Sequence, residues 1–235
     1  MLILDAGHGG SDSGARSRDG KILEKNLNLA LAGKIAEHLT GIPVTFTRTG
    51  DTTLDPTARA QRVRDSGARA CISVHHNSYN GTARGMETIH SIHTDGKLAR
   101  LLYNGIARIG IPGRRVYSRA STQQPGKDYY FIIRDTAPVE TVIVEYGFID
   151  SAADLALLTD PAVQDGLAAA TAAAVRQYLG LGSAPAADAV DIVVGNTVIA
   201  GKLWEGVSYA PVRALAEALG YRVTWDGKRV IIGEG

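Results

Sequence analysis

Three short segments of this chain place histidines and carboxylates where they could act on a bond. The first is Asp5-Ala6-Gly7-His8-Gly9-Gly10, a histidine among glycines directly after the apolar run Leu2-Ile3-Leu4. Glycine lets the backbone turn sharply and leaves room around an imidazole. A phosphate cradle does not fit: Gly7 and Gly9 begin a G-x-G-x-x-G pattern, but Asp12 takes its last place and no Gly-Lys-Ser/Thr follows. The second segment carries Glu24 with Asn28 one helical turn later, so Asn28 can orient the Glu24 carboxylate. A glutamate that merely complements a helix dipole would look the same. The third is Ser73-Val74-His75-His76-Asn77. Neighbouring strand residues face opposite ways, so His75 and His76 do not easily serve one site together. Cys71 lies on the face of His75 but about 13 Å behind it, and reads as a packed core thiol.

Two histidines and one carboxylate from separate elements match a catalytic zinc site with an open fourth position. Such a metal acidifies water and polarises a carbonyl. The proton carrier is expected at Glu145, a lone carboxylate in Val142-Ile143-Val144-Glu145-Tyr146-Gly147-Phe148. Partial burial there raises a carboxyl pKa toward a value useful for acid/base work.

The elements that must position these groups alternate. Leu2–Asp5 reads as a buried strand, and Leu27, Leu31, Ile35 and Leu39 mark an amphipathic helix from Glu24 that Gly41 ends. Strands follow at 42–48, 71–75, 86–90 and 139–146, with helices at 57–65, 98–109, 155–158 and 163–179. This pattern predicts an α/β fold, a twisted and mostly parallel sheet covered by helices on both faces. Histidines at strand carboxyl ends then lie on the edge where such sheets bind ligands. Residues 181–187 are small and flexible enough for a linker between a catalytic domain at 1–180 and an accessory domain at 188–235. The latter reads as a small α+β unit: strands at 192–194 and 197–200, a helix at 211–219, and strands near Val223 and at 230–232. Pro211 suits its first helical turn and Gly220 its cap.

Composition narrows the function classes. The 235 residues hold 25 Lys+Arg against 24 Asp+Glu, a net charge of +1, so neither nucleic acid nor an anionic membrane surface is an expected partner. One cysteine excludes an internal disulfide and a multi-cysteine metal site. No segment approaches the roughly 18–20 apolar residues that would insert in a membrane. The apolar start is only Leu2-Ile3-Leu4, so no secretion signal is expected.

Five ordered blocks resemble the zinc-dependent N-acetylmuramoyl-L-alanine amidases of the amidase-3 family. They are Asp-Ala-Gly-His-Gly-Gly at 5–10, Glu-Lys-Asn-Leu-Asn at 24–28, Thr-Arg-Thr-Gly-Asp at 47–51, Ser-Val-His-His-Asn at 73–77 and Val-Glu-Tyr-Gly-Phe-Ile at 144–149. The resemblance covers residues 2–179 and implies His8, Glu24 and His75 as zinc ligands and Glu145 as catalytic acid/base. It implies bacterial peptidoglycan as substrate, cut at the amide between the lactyl group of N-acetylmuramic acid and L-alanine. Arg134 falls where the family often has an arginine near the groove, and Asn77 ends the histidine block; both are read as substrate contacts. The chain departs from the family at Ala6, where Pro is frequent, at His76, where Ala is usual, and at Asp150-Ser151 in place of Ser-Asn. An endolysin or autolysin role follows, with synthesis in the cytoplasm and action on the wall after phage-type or mother-cell lysis. The rival readings are a zinc metallopeptidase cutting within the peptide stem and a non-catalytic wall-binding protein.

The segment 190–232 resembles the copper amine oxidase N-terminal-like domain, carried by Tyr209-Ala210-Pro211-Val212-Arg213-Ala214-Leu215-Ala216-Glu217-Ala218-Leu219-Gly220 and Val223-Thr224-Trp225-Asp226. It has no His or Cys for copper. Wall attachment or self-association is its expected use. Other residues take plainer readings: His38 is solvated, His90 and His93 form a solvated pair, and Arg114, Arg115, Arg119 and Lys127 flank an exposed loop or border the glycan groove. Trp204 and Trp225 are read as packing residues of the small domain.

Overall fold

The structure is a computed structural model that describes residues 1–182, 189–195, 197–204, 207–225 and 229–234. The chain divides into two compact units, Met1–Ala184 and Pro185–Gly235. The first is built on β1 (Leu2–Ala6), α1 (Glu24–Glu37), β2 (Val44–Phe46), α2 (Pro56–Asp65), β3 (Ala70–Asn77), β4 (Met86–His90), α3 (Lys97–Ile106), β5 (Gly113–Ser118), α4 (Phe131–Arg134), β6 (Glu140–Phe148), α5 (Ala152–Leu158) and α6 (Pro161–Leu179). Six strands form one sheet in the order β2-β1-β3-β6-β4-β5. Every neighbouring pair is parallel except β4 with β6.

Strand periodicity sorts the core into two layers. Leu2, Leu4, Ile72, Val74, Val142 and Val144 point to one face, under Leu31 and Ile35 of α1, Leu98 and Leu102 of α3, and Leu167 and Val175 of α6. Ile3, Cys71 and Ile143 point to the other, where Val63 of α2 and Ile132 and Ile133 of α4 cover them. The mostly parallel sheet with helices on both faces is therefore present as expected. Cys71 is fully buried, and burial pushes its thiol up in pKa, so it is an inert core group.

Several boundaries differ from the sequence expectation. α1 stops at Glu37, yet Leu39 beyond it stays buried at the start of the turn through Gly41. α3 stops at Ile106. Two elements had no readable signal: β5 is an edge strand with mostly exposed side chains, and α4 is a single turn, too short for a helical period.

In the second unit β7 (Ala189–Val194), β8 (Thr197–Trp204) and β9 (Val207–Tyr209) form an antiparallel meander. α7 (Val212–Ala218) leads into the hairpin β10 (Tyr221–Trp225) and β11 (Val230–Glu234), with Gly220 at φ +85° after the helix. Arg213 Nη1 donates to the Val223 carbonyl at 3.0 Å, tying the helix to the hairpin. Strand β9 was not anticipated. The expected linker lies mostly outside the described residues, as do Asp226 and the side chains of Trp204 and Trp225.

Candidate metal centre and catalytic carboxylate

β1, β3 and β6 run parallel, so their carboxyl ends lie on one edge of the sheet, the edge where open α/β sheets bind ligands. The loop after β1 brings His8 there with φ +60°, a left-handed conformation that costs a non-glycine residue energy and needs outside support. The support comes from two arginines. Arg59 of α2 donates from Nη2 to the His8 carbonyl at 2.8 Å, and from Nη1 to the Ala6 carbonyl at 2.8 Å and to Asp5 Oδ1 at 2.6 Å. Arg48 donates to the carbonyls of Ala6 at 2.8 Å and Gly7 at 3.0 Å. Asp5 lies beneath, accepting from Thr47 Oγ1 at 2.6 Å and Ser73 Oγ at 2.7 Å. Burial opposes its charge, but Arg59 and the two hydroxyls prevail and hold its carboxyl low in pKa.

Glu24, in the first turn of α1, reaches both site histidines. Its Oε2 is 3.1 Å from His8 Nε2, and its Oε1 is 2.9 Å from His75 Nδ1. Burial disfavours its charge, yet hydrogen bonds from His75 and His8 outweigh that and hold its pKa far below the ordinary glutamate range. The histidines respond in kind. Burial alone would lower the His75 pKa, but the bond to Glu24 raises it to about 9, and His8 is raised for the same reason. Asn28 Nδ2 donates to Glu24 Oε1 at 3.2 Å and to the Gly7 carbonyl at 3.1 Å, so one amide joins the helix carboxylate to the histidine loop. One ligand atom from each of His8, Glu24 and His75 lies within 4.8 Å of the others, and this is the only such group among the described residues.

Backbone pleating separates the adjacent histidines. His75 shares the face of Cys71 and faces Glu24 together with His8, the two rings meeting edge-on with centroids 5.0 Å apart. His76 points into the opposite layer, buried, with Nδ1 2.7 Å from Asn28 Oδ1. Burial lowers its pKa to about 4, so it stays neutral and holds Asn28 in place. Two glycines make the cluster possible. A Cβ on Gly7 would stand 2.2 Å from His75 Cε1, and one on Gly14 would stand 2.5 Å from Glu24 Oε2.

Glu145 pairs in register with His75 across the β3–β6 ladder. Its Oε2 is buried and has no hydrogen-bond partner among the described residues. Burial raises its pKa to about 7, against the pull of His75. It lines two clefts, of about 510 Å³ and about 540 Å³, that share only Glu145 and Tyr130. Arg134 lines the first, but its Nε and Nη2 bond Asp135 at 3.1 and 3.3 Å, and its Nη1 holds the carbonyls of Asp128 and Tyr129. Asn77 lines the second, with Nδ2 3.5 Å from Glu87 Oε2.

Other residues resolve simply. His38 pairs with Asp165 at 2.9 Å on the surface. His90 Nδ1 and His93 Nε2 lie beside the carbonyls of Ser91 and Gly126, at 2.8 and 3.0 Å. Sequence reasoning assigned no role to Asp5, Arg48 and Arg59, nor to Asp12, whose Oδ2 lies 2.8 Å from His8 Nδ1 and fixes that ring. Asp12, four residues after His8 in a glycine-rich turn, was the one readable cue.

Comparison with known proteins points the same way. The chain is 30% identical over 202 residues to the endolysin of Bacillus phage SPP1, covering 79% of this chain and 70% of that one. It is 31% identical over 163 residues to the probable cell wall amidase LytH of Staphylococcus aureus, spanning about half of its length (51%). Among solved structures, the catalytic domain of CwlV, an N-acetylmuramoyl-L-alanine amidase from Bacillus (Paenibacillus) polymyxa var. colistinus, superposes with a TM-score of 0.69 at 28% identity, covering 77% of this chain and 98% of that one. A family model described as N-acetylmuramoyl-L-alanine amidase matches residues 2–177, and the chain belongs to that amidase-3 family.

Proposed function

We propose that this amidase hydrolyses the bond between N-acetylmuramic acid and the L-alanine of the peptidoglycan stem, with zinc held by His8, Glu24 and His75. The observation that carries the reading is the convergence of those three donors beside the half-buried Glu145, whose Oε2 is buried without a partner among the described residues. The donor set suits zinc: two imidazoles and one ionised carboxylate, with Asp12 and Asn28 orienting His8 and Glu24 from behind. When bound there, zinc supplies a Lewis acid for the amide carbonyl and lowers the pKa of water.

The protein's own residues do the rest. Glu145, with an unbonded oxygen and a pKa near 7, takes a proton from the attacking water and returns it to the departing L-alanine amine. The amide carbon thereby gains a hydroxyl and the nitrogen leaves as a neutral amine. Glu24 stays ionised throughout, and the Arg48–Arg59 clamp keeps His8 from relaxing out of its left-handed conformation. Residues 188–235 serve attachment to the wall or self-association. No helix among the described residues is long and apolar enough to cross a membrane.

Zinc titration of the metal-free chain tests the site. One equivalent should bind tightly to the wild type, and His75→Ala should weaken it by orders of magnitude. Unchanged stoichiometric binding in that variant would refute the assignment.

A further inference from the structure

The two clefts that meet at Glu145 differ in chemistry. The first is walled by Tyr129, Phe131, Gln123 and Gln124, together with Arg134, whose guanidinium is taken up by protein oxygens. The second contains Asn77, Glu87, Arg115 and Arg119. Glu87 is buried, pairs with Arg114 Nε at 2.7 Å and accepts from Arg115 Nε and Nη2 at 3.0 and 3.2 Å. At Glu87 one carboxylate meets two guanidiniums, that of Arg114 reaching it from outside the cleft, and this surplus of one positive charge offsets Glu145, which also lines the cleft. Arg115 stacks on Tyr117 with its Cζ 4.1 Å from the ring centroid, which fixes the fork in place. Arg119 adds a further charge. Its Cζ lies 3.8 Å from the Tyr129 centroid, and it has no acidic partner among the described residues.

The substrate under the proposed reading is equally lopsided. N-acetylmuramic acid joined through its lactyl carbonyl carries no charge, and its flat faces suit aromatic walls. Carboxylates occur only on the peptide side of the amide. We infer that the Arg115–Arg119 cleft receives a carboxylate of the peptide stem, which fixes the direction of the substrate across Glu145 and leaves the aromatic cleft to the glycan. This inference rests on the amidase reading. Arg119 is the specificity-determining residue, because Arg115 is already committed to Glu87 and presents only its remaining N–H groups.

The test uses two soluble N-acetylmuramoyl peptides that differ at the second peptide residue, one with a free side carboxylate and one with the matching carboxamide. The full chain loaded with zinc is assayed on both, and kcat/KM is compared. The wild type should prefer the carboxylate about tenfold, mainly through KM. Arg119→Gln should bring the ratio close to one, and Arg119→Lys should restore part of it. Arg119 is exposed, so folding of both variants is checked by comparing their melting curves with that of the wild type. Cleavage of both peptides without preference, or a preference untouched by Arg119→Gln, overturns the cleft assignment and leaves the amidase reading standing. Cleavage of neither peptide overturns both.

Discussion

Replacing Glu145 by Gln should destroy activity and stabilise the metal-free protein, by an amount that grows with pH. Burial moves this carboxyl from 4.5 to about 7, so its ionised form is disfavoured in the folded state. At about 1.4 kcal/mol per tenfold change in acidity, the ionised form costs about 3 kcal/mol, and partial contact of the side chain with water trims this to about 2 kcal/mol. Because the folded pKa lies above the unfolded one, the folded state binds the extra proton between those values. Stability is then lost as pH rises through that window. Wild type and Gln variant should match at pH 4.5 and differ by about 2 kcal/mol at pH 8.5, with the variant the more stable. Both tryptophans, 204 and 225, lie in the second unit, so tryptophan fluorescence is blind to this change. Amide hydrogen exchange in β6, followed by mass spectrometry at several urea concentrations, reads it directly. A variant less stable at pH 8.5, or a difference that ignores pH, would mean that Glu145 is a paired structural group rather than a strained catalytic one.

Three further outcomes follow from the geometry around the ligands. Gly7→Ala places a methyl group 2.2 Å from His75 Cε1, so the ring must shift; zinc affinity and activity should fall at least a hundredfold, and retention of both would contradict the packing. Arg59→Ala leaves Asp5 buried without its cation and frees the His8 carbonyl; it should cost about 3–5 kcal/mol in urea unfolding, and a loss below about 1 kcal/mol would refute the clamp. Zinc must displace protons from His8 and His75, whose pKa values the apo site raises, the latter to about 9. Apparent zinc affinity should therefore rise between pH 6 and pH 9 with proton release at pH 7, and calorimetry in buffers of different ionisation heat that found no proton release would contradict the pairing.

The candidate site groups were readable because each interrupts a strong local pattern. His8 breaks a run of glycines, Glu145 breaks an apolar strand, and Glu24 opens a periodic helix. Strand alternation says only that His75 and His76 face opposite ways; the choice of His75 came from the resemblance of the Ser73–Asn77 block to the family. Asn28, one helical turn from Glu24, was readable as a supporting residue, but the arginines that hold the site were not, because their partners are distant in sequence. Arg59 looks like any polar residue of a solvated helix face, yet α2 carries it across the sheet edge to Asp5, 54 positions away. Arg48 likewise spends its guanidinium on backbone carbonyls, which no side-chain pattern announces. Arg114 and Arg115 read as flanking an exposed loop or a groove, and their pairing with the buried Glu87 through β5 was not foreseen. Edge strands and single-turn helices have weak periodicity, which is why β5 and α4 appear only in the folded chain.

The central claim is tested most directly by mass spectrometry of purified peptidoglycan digested with this protein, metal-free and zinc-loaded. The account predicts free stem peptides beginning at L-alanine, absent after chelation and restored by zinc. Shortened peptides still attached to glycan would contradict it and assign the activity to a peptidase.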